Sequence, residues 1–142
     1  MIKKFDYSIK MAEDIILIDK ESFKNITYNP DEICKKIKNN TQYELYVYYK
    51  NNIPLGYLGL LYVSNLHYDG AWIDLIAIRN IYMNKGYGRE LLKFAEEEVK
   101  VKKLELLTAL VKNNNFSSME MFNKSGFHSD SIKFSLFEKS IL

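Results

Sequence analysis

The stretch Ala71–Lys102 constrains this chain most. It reads as a buried strand, AWIDLIAI, then a turn, RNIYMNKGYG, then a helix, RELLKFAEEEVKVK. Leu91, Leu92, Ala95 and Val99 recur at helical spacing, which predicts a face laid on a sheet. The turn puts Gly86 and Gly88 where strand hands over to helix. The first backbone N–H groups of a helix lack intrahelical partners and carry partial positive charge. Such a site holds a phosphate or pyrophosphate without any basic side chain. A Gly-x-Gly turn is equally an ordinary strand-to-helix connection. It is not the dinucleotide fingerprint, because Leu91 stands where a third glycine is required, and it is not a Walker A loop, because no Gly-Lys-Ser/Thr follows.

Other properties narrow the field. A length of 142 residues is most simply one domain, 1–142, with room for a core that needs no disulfide or metal. A net charge of +2, with lysines spread along the chain, gives no push toward nucleic acid. Cys34 is the lone cysteine, so no intrachain disulfide forms, and in a predicted helix it reads as a half-buried apolar residue. His67 and His128 join no metal-ligand spacing, so no metal is expected. Neither a signal peptide nor a membrane-spanning apolar run is seen, and the expected location is cytoplasmic, with no membrane partner.

In chain order, Ile2–Ile9 reads as an edge strand and Met11–Phe23 as an amphipathic helix. Pro30 suits a helix start, with Asp31 and Glu32 in the first turn of a helix over Asp31–Lys38. Tyr43–Lys50 and Ile53–Val63 form a predicted hairpin around Asn51–Asn52, followed by the strand Ala71–Ile78. After the central helix, Leu104–Val111 reads as a strand parallel to Ala71–Ile78 through a right-handed crossover. Ser117 and Glu120 have capping-box spacing for a helix to about Lys124, with Gly126 as its stop. Phe127–Leu142 alternates loosely and predicts a final strand or hairpin, in which Ile132–Glu138 pairs with another chain or stays an edge. The expected class is α/β (α+β): a mixed, mostly antiparallel sheet with a central parallel pair, flanked by helices.

This order, with LIAIRNIYMNKGYGRELL followed by VKNNNFSSMEMFNKSGF, resembles the GNAT superfamily of acetyl-CoA-dependent N-acetyltransferases. The likeness is good from Ile73 to Phe127; before residue 53 it lies only in element order. The family's acetyl-CoA core, Arg/Gln-x-x-Gly-x-Gly/Ala, is matched by Met83, Asn84, Lys85, Gly86, Tyr87 and Gly88. The resemblance implies that Asn84 through Arg89 wrap the coenzyme's pyrophosphate with backbone donors. It implies that Ile76, Ala77 and Ile78 lie on a strand splayed from its parallel neighbour, whose opened edge bonds the pantetheine amides and the acetyl carbonyl. Asn115 matches a position that contacts the pantetheine arm, and Ser118 one that leaves room for it. Two departures stand out. Met83 replaces the usual Arg or Gln. Phe122, counted here with the coenzyme-binding positions, replaces a tyrosine that many relatives use as general acid on the departing thiolate.

A primary amine attacking a thioester must first be neutral, and its free pKa is about 10. Asp74, the acidic residue on the buried strand, is the candidate base, with an ordinary ion pair to a lysine or a bond to a backbone donor as the plain alternative. Glu44 is the weaker candidate; Tyr82 and Tyr87 read as packing residues. The implied activity is an N-acetyltransferase moving an acetyl group from acetyl-CoA directly to a primary amine of a small molecule, peptide or protein. The alternative is a non-catalytic acyl-CoA-binding or regulatory domain of the same fold. The expected state is monomer or homodimer.

Overall fold

A computed structural model describes residues 1–142. Its five strands, β1 (Ile2–Lys4), β2 (Tyr43–Lys50), β3 (Ile53–Ser64), β4 (Asp69–Ile78) and β5 (Leu106–Ala109), form one sheet in the order β1-β2-β3-β4-β5. The first four are antiparallel to their neighbours, and β4 and β5 run parallel. The helices are α1 (Ile9–Ser22), α2 (Pro30–Lys38), α3 (Tyr87–Val101) and α4 (Phe116–Lys124). This is the mixed α/β sheet with one parallel pair that the sequence predicts.

Each boundary has a local cause. Asn51 and Asn52 both take positive φ, 52° and 63°, so the β2–β3 hairpin turns on a pair of left-handed residues that Asn tolerates. The first strand is shorter than expected because Ser8 accepts a hydrogen bond from Met11 N and starts α1 at Ile9. Asn29 caps α2 with Pro30 at its first position. The fourth helix is capped by Asn115, whose side chain accepts from Ser118 N at 3.2 Å; Ser117, expected as the cap, lies inside the helix.

The two sheet faces carry separate cores. Under α1 and α2 lie Ala12, Ile15 and Ile18 with Leu45, Val47, Tyr57 and Ala77. On the other face α3 sets Leu91, Leu92 and Ala95 against Leu58, Leu60 and Ile73, with Phe122 of α4 closing the cluster. These are the helical positions the sequence assigns to the buried face. Each fully buried Leu contributes roughly 1.5–3 kcal/mol relative to exposure.

One expectation fails. Phe127–Leu142 forms no strand: no regular element follows α4, and every residue from His128 on is exposed. Alternation there is incomplete, since Phe137 follows Leu136 directly and puts apolar groups on both sides. At the β5 end the sheet offers a strand of only four residues, a short template for pairing.

Candidate active site

The parallel pairing of β4 with β5 starts at Gly70↔Leu106 and stops at Ile73↔Ala109. Beyond Ile73, β4 continues beside β3 to Ile78, while its other edge has no strand on it. From Asp74 to Ile78 the open edge runs roughly 13 Å at the usual strand rise. Arg79 N donates to Leu55 O at 2.8 Å, so alternation turns the backbone groups of Ala77 toward β3 and those of Ile76 and Ile78 toward the gap.

The change of register sits at the mouth of this gap. Leu60 pairs with Ile73 and Gly59 with Leu75, which leaves Asp74 as the extra residue of a β-bulge. The Asp74 side chain is exposed, and one oxygen, Oδ2, accepts the Tyr43 hydroxyl at 3.0 Å. No lysine or arginine is paired with it. The ion pair or backbone donor that the plain alternative expects at Asp74 is therefore replaced by a phenol.

At the far end of the gap a 3₁₀ turn, Asn80–Tyr82, leads into the glycine turn. Asn84 and Gly86 are left-handed, with φ of 59° and 89°. The backbone amides of Asn84 through Arg89 have no acceptor anywhere in the protein; the first amide of this region to find one is Glu90, bonded to Gly86 O at 3.1 Å. A left-handed pair leading into a helix turns successive N–H groups into one concavity, which suits an anion. Gly88 is needed for a different reason: a Cβ there would overlap Met121 Sδ.

A cleft of about 620 Å³ joins these features. Ile76, Ala77 and Ile78 form its strand wall, Met83, Asn84 and Gly86 through Arg89 its turn, and Asn115, Ser118 and Met121 the opposite wall. Asp74, Lys85 and Phe122 are not on its surface; Asp74 lies two residues before the strand wall begins at Ile76. Lys85 is exposed on the turn, its Nζ 5.9 Å from the centre of the Tyr82 ring. Phe122 is 7% exposed and packs edge-to-face on Phe127 at 5.1 Å, and Met121 is the residue that lines the cleft at that turn of α4. The Arg89 guanidinium donates to Lys124 O at the end of α4, and the Asn115 carbonyl is occupied as a cap. Tyr87 stacks edge-to-face with Tyr48 and Tyr82, as packing residues do.

Glu44 is drawn into another role. Burial pushes its carboxyl up, but hydrogen bonds from Tyr46, Lys4 and Tyr62 outweigh that and bring it down to about 2. It ties β1, β2, β3 and, through Lys102, the end of α3 together. A carboxylate held so firmly anionic is a poor base.

Sequence reasoning missed the α1 side of the cleft, where Glu21, Ser22 and Phe23 contribute. Arg79 Nε binds Glu21 at 2.6 Å and anchors that end of α1 to the exit of β4. No local signal joins residues 58 positions apart. No group of three or more His, Cys, Asp or Glu side chains is gathered to hold a metal ion, and no helix is long and apolar enough to cross a membrane.

Comparison with solved structures gives the same architecture. An aminoglycoside acetyltransferase from an uncultured soil metagenomic sample superposes with a TM-score of 0.83 at 14% identity, covering 98% of this chain and 96% of that one. Glucosamine-6-phosphate N-acetyltransferase from Arabidopsis thaliana gives 0.80 at 13%, covering 98% of each chain. Aminoglycoside N-acetyltransferase AAC(6')-Iy, solved in complex with CoA, gives 0.80 at 10%, covering 99% of each. At such identities these likenesses speak to the fold. No curated protein matches by sequence. The sequence model of the acetyltransferase (GNAT) family, however, matches residues 11–127, which span the glycine turn, the splayed strand and α4, and the chain therefore belongs to that family.

Proposed function

We propose that this acetyltransferase moves an acetyl group from acetyl-CoA directly to a primary amine. The observation that carries this reading is the run of unpaired amides from Asn84 to Arg89, opening into a cleft continuous with the free edge of β4. Apart from Tyr87 and Gly88 these residues are exposed, so water meets their donors until a ligand supplies acceptors. A diphosphate fits the turn. An extended arm carrying amides fits the strand edge as an added strand would. An arm seated there brings its thioester to the bulge at Asp74. CoA bound to the related aminoglycoside enzyme supports the same assignment.

In the reaction the amine nitrogen bonds to the thioester carbon, the C–S bond breaks, and the sulfur leaves as thiolate. In this reading Asp74, whose second carboxylate oxygen has no protein partner, receives the amine's proton, directly or through water. No phenol on α4 faces the cleft to protonate the sulfur, because position 122 is Phe. A thiol with an ordinary pKa of about 8.5 leaves without strong acid help. Positioning and backbone donors to the carbonyl oxygen supply the remaining rate enhancement.

The test is coenzyme A release from acetyl-CoA with L-lysine, spermidine, glucosamine 6-phosphate, kanamycin and an unblocked peptide as acceptors. Turnover with at least one is expected. Tight acetyl-CoA binding with no turnover on any amine would favour the non-catalytic reading.

A further inference from the structure

Resting on that reading, we infer that Tyr43 is a positioning residue, which fixes the Asp74 carboxylate so that its second oxygen faces the incoming amine. Asp74 stands on a bulge, where the strand ladder no longer dictates side-chain direction as firmly as in regular pairing. A short exposed carboxylate there would sample several rotamers. The Tyr43 hydroxyl, reaching from β2 across the whole width of β3, takes one oxygen at 3.0 Å and leaves the other without a protein partner.

The sheet is built to let this phenol through. Gly59 lies on β3 between the two strands, and a Cβ at that position would overlap the Tyr43 hydroxyl. Its φ is not positive, so no backbone strain asks for glycine here. The missing side chain is explained by the phenol that crosses it. Around the pair, Asp19 of α1 and Tyr57 of β3 form a second hydroxyl–carboxylate bond at 2.6 Å, which keeps Tyr57 from competing for Asp74. Burial first, then the charge of Asp74 and the hydrogen bond to it, push the Tyr43 phenol up, so it stays protonated and remains a donor.

The experiment is a double-mutant cycle on kcat with Tyr43→Phe and Asp74→Asn. It uses acetyl-CoA and whichever of spermidine, kanamycin, glucosamine 6-phosphate or L-lysine gives turnover. Tyr43→Phe alone is expected to lower kcat about tenfold, as loss of a hydrogen bond to a charged group does. The KM for acetyl-CoA should stay within about twofold, since the phenol touches no part of the cleft. In the Asp74→Asn background the same change should have little further effect. Gly59→Ala, which displaces the phenol without removing it, should repeat this pattern; if that variant fails to fold, Tyr43→Phe, which only deletes an oxygen, still decides. Equal losses from Tyr43→Phe in both backgrounds, or an unchanged kcat, would overturn the inference while leaving the acetyltransferase reading intact. Absence of turnover with every amine would remove that reading and this one with it.

Discussion

The two glycines of the turn are predicted to fail in different ways when replaced by alanine. Gly86 sits at φ 89°, with nothing within 4 Å of a Cβ built on it. The penalty for Gly86→Ala is therefore purely that of the left-handed backbone, about 1–2 kcal/mol. Free of ligand, the turn escapes this strain by rotating its peptides, which misdirects the amides between Asn84 and Arg89. Binding must then restore the strained form, so acetyl-CoA affinity falls by about 5- to 30-fold. Gly88 has ordinary φ and is buried against Met121, whose sulfur would have to move. A thioether end is flexible, so Gly88→Ala should cost about 1 kcal/mol of affinity, by pushing Met121 into the cleft. That loss should be relieved in the double variant with Met121→Ala, whereas the Gly86→Ala loss should not. Titration calorimetry with acetyl-CoA, alongside thermal unfolding, separates the cases. If Gly86→Ala binds acetyl-CoA as tightly as the unchanged protein, amide donors at the turn are not what holds the diphosphate.

Glu44→Gln should destabilise the fold by about 1–2 kcal/mol at pH 7, after allowing for solvent screening of a partly exposed network. The native carboxyl is held near 2, below its unfolded value, so this contribution exists above about pH 4.5, fades as pH falls toward 2, and should be absent from urea melts there. Asp19→Asn should act oppositely. Burial, the larger effect, raises the Asp19 carboxyl despite the Tyr57 hydrogen bond, so the native state loses stability as pH rises through and above the unfolded value. The variant should be more stable than its parent at pH 7, with the difference closing at low pH in thermal scans. Phe122→Tyr should not raise kcat, because residue 122 is buried and does not line the cleft; a hydroxyl left without a partner there should cost about 1–3 kcal/mol in chemical unfolding.

The sequence carried the helix and strand pattern wherever side-chain periodicity was regular. Tyr43–Lys50 is β2 to the residue, and Leu91, Leu92, Ala95 and Val99 are buried as their spacing required. The glycine turn was also legible, because left-handed backbone and close helix packing both select glycine. What could not be read depends on geometry across the sheet. The bulge at Asp74 arises from how β3 and β4 fit, and its one local hint is Gly59 on the facing strand, which equally signals a close approach. The Tyr43–Asp74 and Arg79–Glu21 contacts join positions far apart in sequence. Phe122 could be aligned with a coenzyme position, but its facing followed from the helix phase that Asn115 sets. The tail shows that loose alternation without a neighbouring edge long enough to pair does not make a strand.

The extra residue in β4 changes which neighbours its side chains meet. Before it, the odd-numbered Ile73 joins the α3 core; after it, the even-numbered Ile76 and Ile78 do, while Leu75 and Ala77 turn to the α1 layer. Parity thus switches once, midway along the strand. Removing that single residue would let Leu75 follow Ile73 in unbroken alternation, with every other side chain still on its present face, and would take away only the Asp74 carboxylate. Loss of residue 74 should consequently be easier on the fold than on the reaction proposed for its carboxylate.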